Sequence, residues 1–279
     1  MAKKAFLVGI NDYPGSGSDL KGCVNDVTNL RDLLLKYFGF EVKEVRVLTD
    51  KRATKANMLK RLEWLVEGAK AGDLLIFQYS GHGSQVRDRD GDELKDHLDE
   101  ILCPYDMDWD GNFIADDELE ALFKPLPAGA RLEVFLDSCH SGTATRYLPG
   151  SRGEGEGYLR PRFLPPPVDI LCRLEEELPV KRLGNSLAQA PANPGGKSKL
   201  NHLLWAGCRD NQTSADAFIK GSYNGAFTYF FCKHLRDTEG KATRSELLKR
   251  LRASLRYEGY DQAPQLEGAA EARKRPLFA

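Results

Sequence analysis

The chain has 279 residues, of which 41% are hydrophobic and 9% aromatic, and this ordinary globular composition excludes a wholly disordered protein. Its 40 Lys and Arg residues are balanced by 41 Asp and Glu residues, which gives a net charge of −1. Such a balance removes the electrostatic argument for a nucleic-acid or membrane-surface partner, and we expect neither.

The first half of the chain alternates β-branched apolar runs with amphipathic helical patterns, which is typical of a parallel sheet covered by helices. Thr54 is a suitable N-cap for one of these helices. The unbroken apolar run of residues 73–81 favours a strand that is buried on both faces. The predicted elements are strands over 3–10, 41–50, 73–81 and 130–139, and helices over 24–38, 54–69 and 116–123.

The segment from residue 143 to about 199 differs in composition because Gly and Pro are frequent in it and apolar periodicity is weak. We predict an exposed, mobile connection there. Beyond it the sequence predicts a strand over 199–208 and helices over 225–235 and 243–257. The whole chain is therefore expected to form one α/β domain with a long insertion.

The six cysteines are widely spaced, with no C-x-x-C pair, and therefore do not indicate a zinc site. Most of them are expected to be buried thiols in a reducing compartment. The apolar run over residues 5–10 is too short for a signal peptide or a membrane-spanning helix. These features predict a soluble, cytoplasmic protein with no organic cofactor.

Two predicted strands end on residues that can perform nucleophilic chemistry. His82 follows the strand over 73–81, and Cys139 follows the strand over 130–139. Because the carboxyl ends of parallel strands meet at one edge of a sheet, the imidazole and the thiol are expected to converge there. A thiol beside an imidazole is a nucleophile with its proton acceptor.

The backbone around these two residues also suits acyl chemistry. The glycines on both sides of His82 allow a substrate to approach the backbone closely. The N–H groups of Gly83 and Cys139 are candidates for an oxyanion site. His140 is adjacent to Cys139, but neighbouring residues at a strand end point in different directions. We therefore expect His82, rather than His140, to be the base.

Five motifs in order along the chain carry a family resemblance: LKGCVNDVTNL, YSGHGSQ, LDSCHSG, TSADA and APQLEG. Together they resemble the caspase-type cysteine peptidases of family C14, specifically type I metacaspases and their prokaryotic relatives. The resemblance implies a Cys139 and His82 dyad in a caspase-like fold, with a mostly parallel central sheet flanked by helices. It also implies a p20-like catalytic part over 1–145, a linker over 146–199 and a p10-like part over 200–279.

The acidic residues near the predicted cleft indicate which side chain would precede the cleaved bond. A partly desolvated carboxylate pair favours a guanidinium or an ammonium group. By the resemblance, Asp26 and Asp137 are the specificity residues, and Ser80 and Cys23 line the same S1 pocket. We therefore expect peptide or protein substrates that are cleaved after Arg or Lys.

The stretch between His82 and Cys139 is dense in carboxylates, which suit Ca²⁺. Resemblance to calcium-activated metacaspases points to Asp99, Asp116 and Asp117 as ligands, whereas Arg146 stands near the position where the family commonly has a fourth Asp.

Two other interpretations of these carboxylates stay open. The segment DMDWDGNFIADD over 106–117 follows an EF-hand loop, although the strand-like EILCPY before it lacks the helix that an EF-hand needs. The third interpretation is a solvated acidic loop.

A peptidase that cuts after basic residues could also cut its own linker. Arg160 precedes Pro161 and is expected to be a poor site. The remaining candidates for self-cleavage are Arg146, Arg152, Arg162, Arg173, Lys181 and Arg182.

Two other classes of function are compatible with an α/β fold. An inactive caspase-like scaffold is the alternative, against which the intact His82, Cys139, Asp26 and Asp137 argue. A nucleotide-binding protein is disfavoured because neither a G-x-G-x-x-G nor a Walker A motif follows the first strand. By the resemblance we expect a monomer.

Overall fold

A computed structural model describes residues 1–15, 17–87, 98–139, 154–176, 202–209 and 212–278. In chain order the strands are β1 (Lys3–Gly9), β2 (Val45–Thr49), β3 (Leu74–Ser80), β4 (Gly83–Arg87), β5 (Leu98–Leu102), β6 (Ile114–Ala115), β7 (Arg131–Asp137), β8 (Leu159–Pro161), β9 (His202–Ala206), β10 (Ala215–Ile219), β11 (Ser222–Gly225) and β12 (Gln265–Glu267). The helices are α1 (Cys23–Tyr37), α2 (Lys55–Val66), α3 (Asp116–Phe123), α4 (Val168–Glu176), α5 (Ala226–Asp237), α6 (Arg244–Tyr257) and α7 (Ala270–Arg273).

The central sheet has six strands in the order β12-β9-β7-β3-β1-β2. Neighbouring strands are parallel except at one edge, where β12 runs antiparallel to β9. Strands from both sides of the predicted linker share this sheet. Two small antiparallel sheets, β4-β5-β6 and β11-β10-β8, complete the architecture. The predicted α/β class with a mostly parallel sheet is confirmed.

Alternating side chains of β1 show how the sheet is covered on both faces. Ala5 and Leu7 belong to a core cluster that includes apolar residues of α1, α5 and α6. Phe6 and Val8 belong to a second cluster with residues of α2 and α3. Because all four side chains are buried, the strand reads as one continuous apolar run.

The long predicted elements correspond to observed ones within a few residues at each end. Thr54 caps α2, with its hydroxyl accepting a hydrogen bond from the Asn57 N–H at 3.3 Å. The sequence does not predict the short strands β4, β6, β8, β10, β11 and β12, since two to five residues show too little periodicity.

Part of the predicted linker is ordered into secondary structure. Residues 154–176 contain β8 and α4, and β8 pairs with β10. No helix among the described residues is long and apolar enough to cross a bilayer.

Candidate active site at the carboxyl edge of the sheet

The ends of β3 and β7 lie side by side, as the parallel arrangement requires. Ser80 is in register with Asp137 on the neighbouring strand. The Gly81 N–H donates to the Asp137 carbonyl oxygen at 3.4 Å. His82 and Cys139, each two residues beyond a paired position, are therefore delivered to the same edge of the sheet.

Two buried tyrosines hold the backbone of the His82 turn. The His82 N–H donates to Tyr13 Oη at 2.9 Å, and Tyr79 Oη donates to the His82 carbonyl oxygen at 2.6 Å. A Cβ at Gly81 would lie 2.6 Å from Tyr79 Oη and 2.7 Å from Tyr13 Oη. Only glycine therefore fits between the strand end and the histidine.

The His82 ring is held in one tautomer. Its Nε2 lies 2.7 Å from the Ser18 carbonyl oxygen, and because a carbonyl only accepts, Nε2 carries the proton. Nδ1 is buried and has no hydrogen-bond partner among the described residues. Burial lowers the pKa of His82 to about 4, so the ring is neutral near pH 7, with its lone pair on Nδ1.

Cys139 is fully buried in this arrangement. Its Sγ accepts a hydrogen bond from the Ser214 N–H at 2.6 Å. The Cys208 thiol is hydrogen-bonded to Cys139, and this contact together with burial raises the pKa of Cys208 well above its usual value. Because His82 Nδ1 has no partner in the described part of the chain, the imidazole and the Cys139 thiol are not hydrogen-bonded to each other.

A buried guanidinium fills the pocket between three carboxylates. Arg162 Nη2 lies 2.7 Å from Asp26 Oδ2 and 2.9 Å from Asp216 Oδ1, and Nη1 lies 3.2 Å from Asp137 Oδ2. All four side chains are buried. Since three acids face one cation, burial and the neighbouring carboxylates raise the pKa of Asp26 to about 8 against the attraction of Arg162.

Each carboxylate of this pocket is also held by other groups of the protein. Asp137 Oδ2 accepts from the Thr228 hydroxyl at 2.7 Å and from the Thr228 N–H at 3.1 Å. Asp26 Oδ1 accepts from the Gly225 N–H at 2.9 Å. A Cβ at Gly225 would overlap Asp137 Oδ2 and would lie 2.6 Å from Arg162 Nη1, so glycine leaves the room that the guanidinium occupies.

The sequence interpretation did not assign Asp216, the third carboxylate. It accepts from the Gly22 N–H at 3.0 Å, from the Lys21 N–H at 2.7 Å and from Tyr158 Oη at 3.0 Å. Asp216 belongs to the TSADA motif, one of the five that carry the family resemblance, and this motif is the signal in the sequence that points to it.

The backbone of Arg162, the residue directly after β8, lies at the carboxyl edge of the sheet. Its carbonyl oxygen accepts from the Gly83 N–H at 3.0 Å and from the Cys139 N–H at 3.2 Å, the two groups suggested as an oxyanion site. The Arg162 N–H donates to the Ser214 carbonyl oxygen at 3.0 Å. A segment of the chain itself therefore fills the candidate cleft, with a carbonyl on the two donors and a basic side chain in the acidic pocket.

The other two predicted pocket residues also lie at this edge. Ser80 is buried at the end of β3, opposite Asp137. Cys23 is buried at the start of α1, and burial raises its pKa well above the usual value, with Arg162 acting in the opposite direction.

The remaining predicted residues lie away from this pocket or outside the described ranges. Asp99 is on β5, and Asp116 and Asp117 begin α3. Arg173 is on α4, and only its backbone is described. The other self-cleavage candidates lie outside the described residues; they are Arg146, Arg152, Lys181 and Arg182.

Comparison with known proteins agrees with the fold. The description "Metacaspase, peptidase C14 domain" belongs to a family model that matches residues 3–147. Metacaspase-1 of Cryptococcus neoformans is 36% identical over 99% of this chain, which spans 64% of that relative's length. Metacaspase-1 of Pyricularia oryzae is 34% identical over 95% of this chain and 71% of its own length.

Solved structures show the same architecture. A protein of Geobacter sulfurreducens has a TM-score of 0.69 at 26% identity, covering 100% of this chain and 99% of its own. Caspase-1 of Spodoptera frugiperda has a TM-score of 0.58 at 16% identity, covering 99% of this chain and 89% of its own, which supports the fold alone. The fold is that of a caspase-like α/β protein. The chain belongs to the metacaspase family, peptidase C14, as the motifs predicted.

Proposed function

We propose that this protein is a cysteine endopeptidase that cleaves after Arg or Lys and cuts its own chain between Arg162 and Phe163. The observation that supports the proposal is the position of Arg162. Its guanidinium lies among Asp26, Asp137 and Asp216, while its carbonyl oxygen accepts from two backbone N–H groups. A substrate residue before a scissile bond would make these same contacts.

In the proposed mechanism, the Cys139 sulfur attacks the carbonyl carbon while His82 Nδ1 accepts the thiol proton. The tetrahedral oxyanion is stabilised by the Gly83 and Cys139 N–H groups, which already point at a carbonyl oxygen. The imidazolium then donates its proton to the departing amine, and water hydrolyses the thioester. The Ser18 carbonyl keeps Nε2 protonated, so only Nδ1 exchanges a proton during the reaction.

The acidic pocket explains the proposed preference for basic residues. A planar guanidinium donates to carboxylates in several directions at once, whereas an ammonium presents one compact charge. Arg162 uses both Nη atoms on carboxylates that come from α1, β7 and β10. We therefore propose that Arg is cleaved faster than Lys, and that Asp, which would repel these carboxylates, is not accepted.

A panel of fluorogenic peptides that end in Arg, Lys or Asp tests this proposal. We expect turnover with Arg, slower turnover with Lys and none with Asp. Asp26→Asn keeps the shape of the side chain but replaces one of its two acceptor oxygens, which bind the guanidinium and the Gly225 N–H, by an NH₂ group that only donates. We expect kcat/KM for the Arg peptide to fall by about 10–100-fold. Asp32→Asn, on an exposed part of the same helix, is the matched control and should be unaffected.

The panel also separates the peptidase from the alternative of an inactive scaffold. Absence of turnover with every peptide, in a protein whose cleft has been freed by Arg162→Ala, would favour the scaffold. Faster cleavage after Asp than after Arg would contradict the assignment of the acidic pocket.

Calcium binding at Asp99, Asp116 and Asp117 remains a proposal that comes from the resemblance. Partial burial and the carboxylates of Glu100, Asp117 and Asp99 raise the pKa of Asp116 to about 7, and a hard cation would relieve this repulsion. Within the described ranges, however, no three His, Cys, Asp or Glu side chains are arranged to hold a metal ion. Binding would require these side chains to rearrange, or ligands from the rest of the chain.

Calorimetric titration of Ca²⁺ into the EDTA-treated Cys139→Ala variant tests this proposal without self-cleavage. We expect Ca²⁺ binding that an added Asp99→Asn abolishes and an added Asp110→Asn leaves intact. In the protein that keeps Cys139, EDTA should lower peptidase activity about tenfold or more. Loss of Ca²⁺ binding in Asp110→Asn but not in Asp99→Asn would favour the EF-hand interpretation. Absence of heat in the Cys139→Ala variant, with Asp99 and Asp110 intact, would contradict calcium binding.

We further propose a monomer in a reducing, cytoplasmic setting that acts on proteins rather than on nucleic acids or membranes. All six cysteines are free, and Cys172 is exposed. A reducing compartment would keep Cys139 available as a thiol.

A further inference from the structure

An aromatic cavity lies beside the segment that follows Arg162. Its walls include Tyr13, Tyr105, Met107 and Trp109 from the body of the protein. Leu164, Pro165 and Pro167 form the facing wall, and the space between them is about 270 Å³. The cavity is separate from the acidic pocket, because none of the three carboxylates around Arg162 lines it.

The backbone of the chain leads into this cavity in a defined register. The Leu164 N–H donates to the Gly83 carbonyl oxygen at 2.9 Å, and Ser84 Oγ donates to the Leu164 carbonyl oxygen at 2.6 Å. Gly83 thus binds the Arg162 carbonyl through its N–H and the Leu164 N–H through its carbonyl. The backbone of Leu164, the second residue after the proposed cleavage point, is therefore fixed by hydrogen bonds, and its side chain lines the cavity.

A hydrogen-bonded loop presents two of the apolar walls. Asp108 Oδ1 accepts from the N–H groups of Asp110, Gly111 and Asn112, each at 3.0 Å. Asp106 Oδ1 accepts from the Lys55 N–H at 2.8 Å. The alternating acids that resemble an EF-hand loop in the sequence are thus partly used to hold backbone, and the loop carries Met107 and Trp109 to the cavity. The segment before it is strand β5, so the helix of an EF-hand is not there.

Aromatic walls are the surfaces on which proteins bind proline-rich segments, because proline rings pack flat against them and the extended conformation loses little entropy. The chain's own sequence after Arg162 is Phe-Leu-Pro-Pro-Pro. Resting on the proposed function, we propose that this cavity is a subsite for the residues that follow the cleaved bond. It selects substrates with a large apolar residue at the second position after the cut, followed by proline.

Two decapeptides test the subsite. One has the sequence of residues 158–167, and the other replaces the last four residues with Gly-Ser-Gly-Ser. The enzyme is the full chain with Arg162→Ala and Leu164→Asp, which remove its own anchors from the acidic pocket and the cavity. Burial of a leucine and the prolines predicts that kcat/KM is about tenfold higher for the first decapeptide.

Trp109→Ala in the same background should reduce the ratio of the two kcat/KM values to near one. Trp64→Ala is the matched control, because this tryptophan lies on α2 outside the cavity, and the ratio should persist. Equal kcat/KM for the two decapeptides, or a ratio that survives Trp109→Ala, would overturn the subsite. A coumarin peptide that ends in Arg has no residue of the substrate in the cavity, so failure to hydrolyse it would instead refute the proposed function and, with it, this inference.

Discussion

Replacing Cys139 with alanine is expected to lower kcat for an Arg-terminated coumarin peptide by about 10³-fold or more and to abolish self-cleavage. The reason is chemical, because the Gly83 N–H and the acidic pocket would still bind a substrate while no thiolate could form the acyl intermediate. Steady-state hydrolysis and intact mass measure the two effects.

Cys232→Ala is the matched control for this prediction. Cys232 is also a fully buried thiol, but it lies on α5 in the apolar core and has no role as nucleophile or base in the proposed mechanism. Removing it tests whether loss of a buried sulfur alone explains inactivity. Activity that persists in Cys139→Ala, or that is lost equally in both variants, would contradict the assignment of the nucleophile.

Replacing Arg162 with alanine is expected to have two opposite effects. The cut between residues 162 and 163 should disappear, because alanine leaves three buried carboxylates without their cation. Hydrolysis of a short Arg peptide added in trans should become about tenfold faster than in the uncut parent, since the chain's own segment no longer competes for the pocket. Intact mass and initial rates measure the two effects.

Arg160→Ala is the matched control, because Arg160 precedes the same site by two residues and its side chain is outside the acidic pocket. We expect the cut to persist in this variant. Arg162→Lys should be cut more slowly than the parent, because an ammonium cannot contact all three carboxylates as a guanidinium does. A cut at residue 162 in the alanine variant, or an unchanged rate in trans, would contradict the account.

Much of the fold was predictable because its elements are long and strongly patterned. The strands over 73–81 and 130–139 are continuous apolar runs, and their parallel pairing brings His82 and Cys139 to one edge. This argument needs only the direction of two neighbouring strands. It does not give the distance or the protonation of the imidazole, which depend on Tyr13 and on the Ser18 carbonyl oxygen.

The role of Arg162 was not predictable from composition. It is one of six basic candidates in a segment that is rich in Gly and Pro and that the sequence predicts to be exposed. Its burial depends on Asp26, Asp137 and Asp216, which lie 136, 25 and 54 residues away in sequence. Such a contact leaves no local periodicity, and the three-residue strand β8 that positions it is too short to be recognised.

The acidic stretch after His82 shows a different limit. Alternating aspartates at 106, 108 and 110 are compatible with cation binding, with solvation and with capping of loop backbone. The contacts of Asp108 establish the capping role for one of them. The sequence alone does not distinguish cation binding, solvation and backbone capping, because all three use the same short carboxylate side chains.

N-terminal sequencing of the fragments formed by the purified parent protein tests the central claim most directly. A fragment that begins at Phe163, formed by the parent and missing in Cys139→Ala, is the result that the contacts of Arg162 predict. A parent protein whose Arg peptides are hydrolysed but whose chain is cut only at other basic residues, or a Phe163 fragment in both proteins, would contradict it.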